Sequence, residues 1–139
     1  MMIKEIMSRS VVTVEMDDSL KTVKEIFDNT RFHHLLVVNS DKLFGVLSDR
    51  DLLKSISPNI GKITETTKDV ASLNKRVHQI MTRKPVTLME NDTVYQAIEV
   101  FNQENISCIP IVDAAVQPIG ILSWRDILMA LSTKRKKAV

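Results

Sequence analysis

"GVLSDRDLL" at positions 45–53 and "GILSWRDIL" at 120–128 share Gly, Leu, Ser, Arg and Asp at one internal spacing. The echo continues outward on the N-terminal side. Shifted by 74 residues, "IMSRSVVTV" (6–14) meets "IMTRKPVTL" (80–88), and "DDSLKTVKEIFDN" (17–29) meets "NDTVYQAIEVFNQ" (91–103). "HHLLVVN" (33–39) then meets "SCIPIVD" (107–113), after which one inserted residue moves the offset to 75 and brings Gly45 onto Gly120. A chain that repeats itself over most of its length is a tandem duplication of a unit of about 50 residues.

Each copy reads β-α-β-β-α. Val11–Val14 is a short β-branched run, a strand or an extended lead-in. Asp18-Ser19 and Asp92-Thr93 offer N-cap side chains. After them Leu20, Val23, Ile26 and Phe27, or Val94, Ala97, Ile98 and Phe101, mark one face of a helix. Two apolar runs around "NSDK" or "DAAVQP" predict a buried hairpin. A second helix follows, from about Asp49 to Ser57 and from Trp124 to Leu131, and a short linker helix is expected around Asp69–Leu73. The division is repeat one over 1–57, linker 58–77, repeat two 78–133 and a basic tail 134–139. A 50-residue unit buries too little surface to stand alone with ease. The expected fold is therefore α/β (α+β), with two repeats packed sheet to sheet about a pseudo-two-fold axis.

Composition narrows the class. Of 139 residues, 44% are apolar and 26% charged, an ordinary globular balance, and the net charge of +2 says little about partners. Its excess sits in Lys134, Arg135, Lys136 and Lys137, which read as a solvated terminus, so nucleic acid is not expected as a partner. No signal-peptide pattern or membrane-length apolar run is present, and Cys108 is the only cysteine. A reducing, cytoplasmic setting away from membranes is expected.

In the repeated motif, Ser48 with Asp51 and Ser123 with Asp126 have the spacing of a capping box. A plain helix start would explain one such pair. Here the pair occurs twice, at equivalent places, and each copy adds an arginine, Arg50 or Arg125, in the first helical turn. That position disfavours cations, because the helix dipole places its positive end there. A hydroxyl, backbone N–H groups and a guanidinium at one helix tip make an anion pocket. The adjacent Asp can accept two hydrogen bonds from a vicinal diol. Phosphate plus ribose suits this set.

The duplicated unit ending in Gly-h-h-Ser-x-Arg-Asp resembles a CBS domain pair, the Bateman module, from about Lys4 to Leu131. Within that family "HHLLVVNSDKLFGVLSDRDLLKSISP" is similar to acetoin-utilisation B-type proteins. The resemblance implies that Asp51 and Asp126 hold ribose hydroxyls, that Ser48 and Ser123 contact phosphate, and that Arg50 and Arg125 partner it. Adenine would lie between the lead-in segment and the first hairpin strand. In copy one this implies Ser10, Val11 and Val12 with Phe32, His33 and Leu35. In copy two it implies Lys84, Pro85 and Val86 with Ile106, Ser107 and Ile109, beside Pro110. Copy one has Leu36 where Pro110 stands, and Trp124 replaces Asp49, which removes a negative charge near the second phosphate position. The second site is the stronger of the two.

Other constellations carry less. His33 and His34 are adjacent in a predicted strand and point to opposite faces, so both cannot reach one ligand. Cys108 and the three histidines lack zinc-ligand spacing. No nucleophile elbow, phosphate loop or paired-carboxylate signature marks an enzyme. The expectation is a regulatory module with no catalytic or metal residues. It would bind an adenine nucleotide (AMP, ADP, ATP or NAD) or S-adenosylmethionine in the cleft between its repeats, with Mg²⁺ as an optional companion of the phosphates. A homodimer and a separate regulated protein are the expected partners. The alternative is a structural dimerisation module with degenerate, unoccupied pockets.

Overall fold

A computed structural model describes Met1–Ala138, with side chains as far as Thr133. The chain divides into two compact units that cut across the order of the repeats. The first unit holds Val12–Ser40 and Phe44–Lys84; the second holds Met1–Val11, Asp41–Leu43 and the chain from Pro85 onward.

In the first unit, strand β1 (Thr13–Glu15) leads to helix α1 (Leu20–Asn29), strands β2 (His34–Asn39) and β3 (Lys42–Ser48), and helix α2 (Asp49–Ser55). Ser19 caps α1 by accepting from the Thr22 N–H at 3.3 Å, while Asp18 accepts from the Glu15 N–H at 2.8 Å and fixes the turn before it. Ser40 and Asp41 both have positive φ, 50° and 64°, the left-handed pair of a tight hairpin turn. The linker supplies α3 (Thr67–Ala71) and a 3-10 turn (Ser72–Asn74), and the start of the second repeat's sequence supplies α4 (Val77–Ile80) and strand β4 (Thr82–Arg83). The sheet order is β1-β2-β3-β4, with β1 parallel to β2 and β4 antiparallel to β3. Leu35 and Val37 enter a core with Leu20, Val23 and Leu47. Leu36 and Val38 are buried too, so β2 is covered on both faces and its pattern is a continuous apolar run.

The second unit repeats the plan with α5 (Val94–Gln103), β5 (Cys108–Val112), β6 (Pro118–Ser123) and α6 (Trp124–Ala138). Helix α6 runs beyond the expected end at Leu131. Its β1 equivalent shrinks to a single bridge between Leu88 and Ile111. The cause is visible in one letter. In copy one the Leu36 N–H donates to the Val12 carbonyl at 3.0 Å. Pro110 stands in Leu36's place and has no N–H to give. The next bonds survive, Leu88 N–H to Pro110 O at 3.2 Å and Val112 N–H to Leu88 O at 3.0 Å.

Each unit is completed by a segment from the other repeat's sequence. Met81, downstream of the linker, lies in the first core, and Ile3 and Met7, at the start of the chain, lie in the second. The motif glycines explain the fit. A Cβ on Gly45 would stand 2.7 Å from Met81 Sδ and 2.9 Å from the Thr82 carbonyl. A Cβ on Gly120 would stand 2.8 Å from Met7 Sδ and 2.9 Å from the Ser8 carbonyl. Both glycines sit inside strands rather than at their ends, and each admits the backbone of the "IMSR" or "IMTR" segment.

Candidate functional site

Helix α2 starts where β3 stops. Ser48 Oγ accepts from the Asp51 N–H at 3.0 Å, and Asp51 Oδ2 accepts from the Ser48 N–H at 2.9 Å. Helix α6 starts the same way: the Ser123 N–H donates to Asp126 Oδ2 at 2.8 Å, and the Asp126 N–H donates to Ser123 Oγ at 3.2 Å. The capping box expected from spacing thus forms at both tips, and it satisfies two backbone donors reciprocally. It engages one carboxylate oxygen, Oδ2, of each Asp and holds the group in one orientation. The other oxygen, Oδ1, takes no part in the box.

Around the first tip the structure gathers charge. The His33 carbonyl accepts the Asp49 N–H at 3.0 Å, and His33 Nδ1 lies 2.9 Å from Asp49 Oδ2. His34, half-buried at the start of β2, has its pKa lowered from the ordinary 6.5. Burial is the main cause and His33 adds to it, while the carboxylates of Asp49 and Asp51 work the other way. Arg50 is exposed, and Val12 packs against the first core. Phe32 is half-buried and Leu35 fully buried. Val11 falls at the end of the opening segment assigned to the second unit.

Around the second tip there is less charge and more surface. Trp124 stands exposed at the start of α6, as does Arg125. Pro85 is half-buried and Val86 exposed, whereas Ile106 packs on the second core and Ile109 and Pro110 are fully buried within the unit. Asp126 borders a cleft of about 520 Å³ lined also by Met1, Glu5, Ile6, Met129, Ala130 and Thr133. Asp126, Met129, Ala130 and Thr133 fall at i, i+3, i+4 and i+7, one face of α6. The sequence reading ends this helix at Leu131, so of these four residues it singles out only Asp126. Glu5 and Ile6 reach the cleft because the opening segment belongs to this unit.

Burial pushes the Cys108 thiol up to about 12, so it holds its proton at neutral pH and is a poor nucleophile. Among the described residues no group of three or more His, Cys, Asp or Glu side chains converges as a metal site. No helix of the described residues is long and apolar enough to cross a membrane.

Comparison with known proteins agrees with this architecture. The model of the CBS domain matches residues 3–58 and 77–133. A CBS domain-containing protein of Dictyostelium discoideum is 30% identical over 129 residues, covering 91% of this chain and 88% of that protein. Several other related proteins are enzymes in which the aligned part is about a quarter of the length. Among solved structures, the CBS domain pair of protein MJ0100, in complex with 5′-methylthioadenosine and S-adenosyl-L-methionine, has a TM-score of 0.76. It is 26% identical and covers 96% of this chain and 98% of its own. CBSX2 in complex with AMP superposes with a TM-score of 0.78 at 22% identity, covering 96% of this chain and 98% of its own. The acetoin utilisation protein AcuB from Vibrio cholerae gives 0.76 at 16% identity, covering 98% of this chain and 93% of its own. The last two share the fold. With both halves matched and the motif formed at both helix tips, the chain belongs to the CBS-domain family and carries a tandem CBS pair of α/β fold.

Proposed function

We propose that the pair is a non-catalytic regulatory module that senses an adenosine-containing ligand through Asp51 and Asp126. The observation that carries this reading is the duplicated helix tip. At each, a capping box orients a carboxylate by one oxygen, which leaves the other to accept from a ribose hydroxyl. The cleft beside Asp126 has the volume of a small-molecule site, and a related CBS pair at 26% identity holds adenosine derivatives. Ser48 and Ser123 each present a hydroxyl at the tip, with Arg50 and Arg125 one residue before the Asp. Ligand binding would shift the population of two arrangements of the module, and a partner protein would read the shift.

Thermal shift with AMP, ADP, ATP, NAD and S-adenosylmethionine tests this. At 100-fold over Kd a ligand adds about 2.7 kcal/mol, which for a chain of this size raises Tm by roughly 5–10 °C. Asp51→Asn and Asp126→Asn keep an acceptor for the capping box and should lose that shift without losing the fold.

A second reading has its own observation. Ser and Asp already satisfy each other at both tips, so the motif has a full structural use without any ligand. On this reading the pair is a dimerisation module with unfilled pockets. A panel with no shift, from a chain that sediments as a dimer, would select it.

A further inference from the structure

The stretch "LNKRVHQIMTRK" (73–84) carries Lys75, Arg76, Arg83 and Lys84 with His78, and no Asp or Glu. Its counterpart, 74 residues earlier, is the opening of the chain, and the same backbone bonds hold both. The Val77 and His78 N–H groups donate to the Asp18 and Met16 carbonyls at 2.9 and 3.0 Å. The Ile3 and Lys4 N–H groups donate to the Asp92 and Glu90 carbonyls, both at 2.9 Å. In the second unit that frame brings a carboxylate to an arginine, with Arg9 Nη2 3.5 Å from Glu90 Oε2. In the first unit Met16 stands where Glu90 stands and packs against the core, so Arg83, the counterpart of Arg9, meets no acid there. Its guanidinium donates instead to the His78 carbonyl at 2.9 Å, and Arg76 donates to the Asp17 carbonyl at 3.2 Å. The Asp17 carboxylate is turned to His78, at 3.9 Å from Nε2. Among the described residues neither Arg76 nor Arg83 pairs with a carboxylate, and both are exposed.

A bond to a carbonyl fixes a guanidinium without cancelling its charge, and it leaves most of the five N–H groups unspent. Two such heads, linked through Asp17 and His78, make a positive face with donors for carboxylates, which arginine binds two-pronged. Residues 73–84 include no aromatic side chain on which a base could stack, so the face suits an acidic protein segment better than a single-stranded nucleic acid. We infer that the face formed by α4 and β4, through Arg76 and Arg83, docks an acidic segment of a partner protein. The inference goes beyond the adenosine reading and stands without it, since no nucleotide takes part.

The test is fluorescence anisotropy at low ionic strength with fluorescein-labelled octaglutamate, and with a labelled oligothymidylate of equal length as the competing class. The full chain carries Lys134→Gln, Arg135→Gln, Lys136→Gln and Lys137→Gln, so that the basic tail does not bind the probes. Octaglutamate should bind. Arg76→Gln and Arg83→Gln together should weaken it by about tenfold, and each alone by about threefold, the size expected of exposed charge pairs. Arg9→Gln removes the same charge where Glu90 already answers it, and should change affinity by less than about twofold. Oligothymidylate should bind more weakly than the peptide. Peptide binding that ignores both arginine substitutions, or that falls as much with Arg9→Gln, would overturn the inference. So would a chain with a normal melting transition that does not bind the peptide. Oligothymidylate held more tightly than octaglutamate through Arg76 and Arg83 would also overturn it and assign the face to nucleic acid.

Discussion

The tips of α2 and α6 are built from the same Gly, Ser, Arg and Asp and differ in what stands beside them. At the first tip His33, His34 and Asp49 surround the cap; at the second the aligned residues are Ser107, Cys108 and Trp124. The shared part is what the backbone requires: a glycine that lets a neighbouring carbonyl approach, and a Ser–Asp pair that closes the helix start. The part that differs places two histidines and Asp49 at one tip, and a serine, a cysteine and a tryptophan at the other. Duplication has kept the scaffold and freed the surroundings, so one tip is flanked by histidines and the other borders a cleft lined by Asp126 and Glu5.

The largest expected effect lies in the shared part. Gly45→Ala and Gly120→Ala would each force a Cβ against a backbone carbonyl at 2.9 Å and a methionine sulfur. Each should destabilise the chain by about 1–3 kcal/mol in urea unfolding, the range for overpacked interiors. If one of the two is silent, the equivalence of the glycines is broken. Next come the caps. Ser48→Ala and Ser123→Ala should each cost about 1 kcal/mol. Similar losses at both tips would mean that the flanking residues do not alter the cap.

The third expectation separates the tips by pH. His34 has a folded-state pKa below its unfolded value, so its neutral form is the one the fold favours. Between the lowered pKa and 6.5 the unfolded chain binds more protons, and stability there rises with pH. The contribution is complete above 6.5 and lost as pH falls toward the lowered value. His34→Gln should flatten this part of the stability–pH curve. Cys108, its counterpart, has its pKa pushed up to about 12 and contributes nothing in that window. A curve unchanged by His34→Gln would remove the claimed asymmetry. The smallest effect belongs to His33→Ala. The pair with Asp49 is well exposed on both sides, so its loss should change stability by at most about 0.5 kcal/mol.

Much of this was legible in the letters. Periodicity places both α1 and α5, and the Ser-x-x-Asp spacing gives the two capping boxes. The pairing of the opening segments was not legible. Nothing local in "MMIKEIMSRS" says that Ile3 and Met7 join the core of the second repeat, because the partner surface is made only when the rest of that repeat has folded. For the same reason nothing local marks Glu5 as a lining residue. The letters place Asp49 at a helix start but do not show its partner. Its bond to His33 depends on how the start of β2 meets α2 across 16 residues of sequence. The loss of the parallel strand in copy two was readable in retrospect: a proline at the position of Leu36 removes the donor that the ladder needs.

The most direct test of the central claim is calorimetric titration of the unmodified chain with one adenosine ligand in its ribo and 2′-deoxy forms, repeated with Asp51→Asn and Asp126→Asn. The account expects the ribo form to bind tighter by about 1–3 kcal/mol, with the preference vanishing in the Asp variant of whichever site is filled. Equal affinity of the two forms, or a preference indifferent to both substitutions, would contradict it.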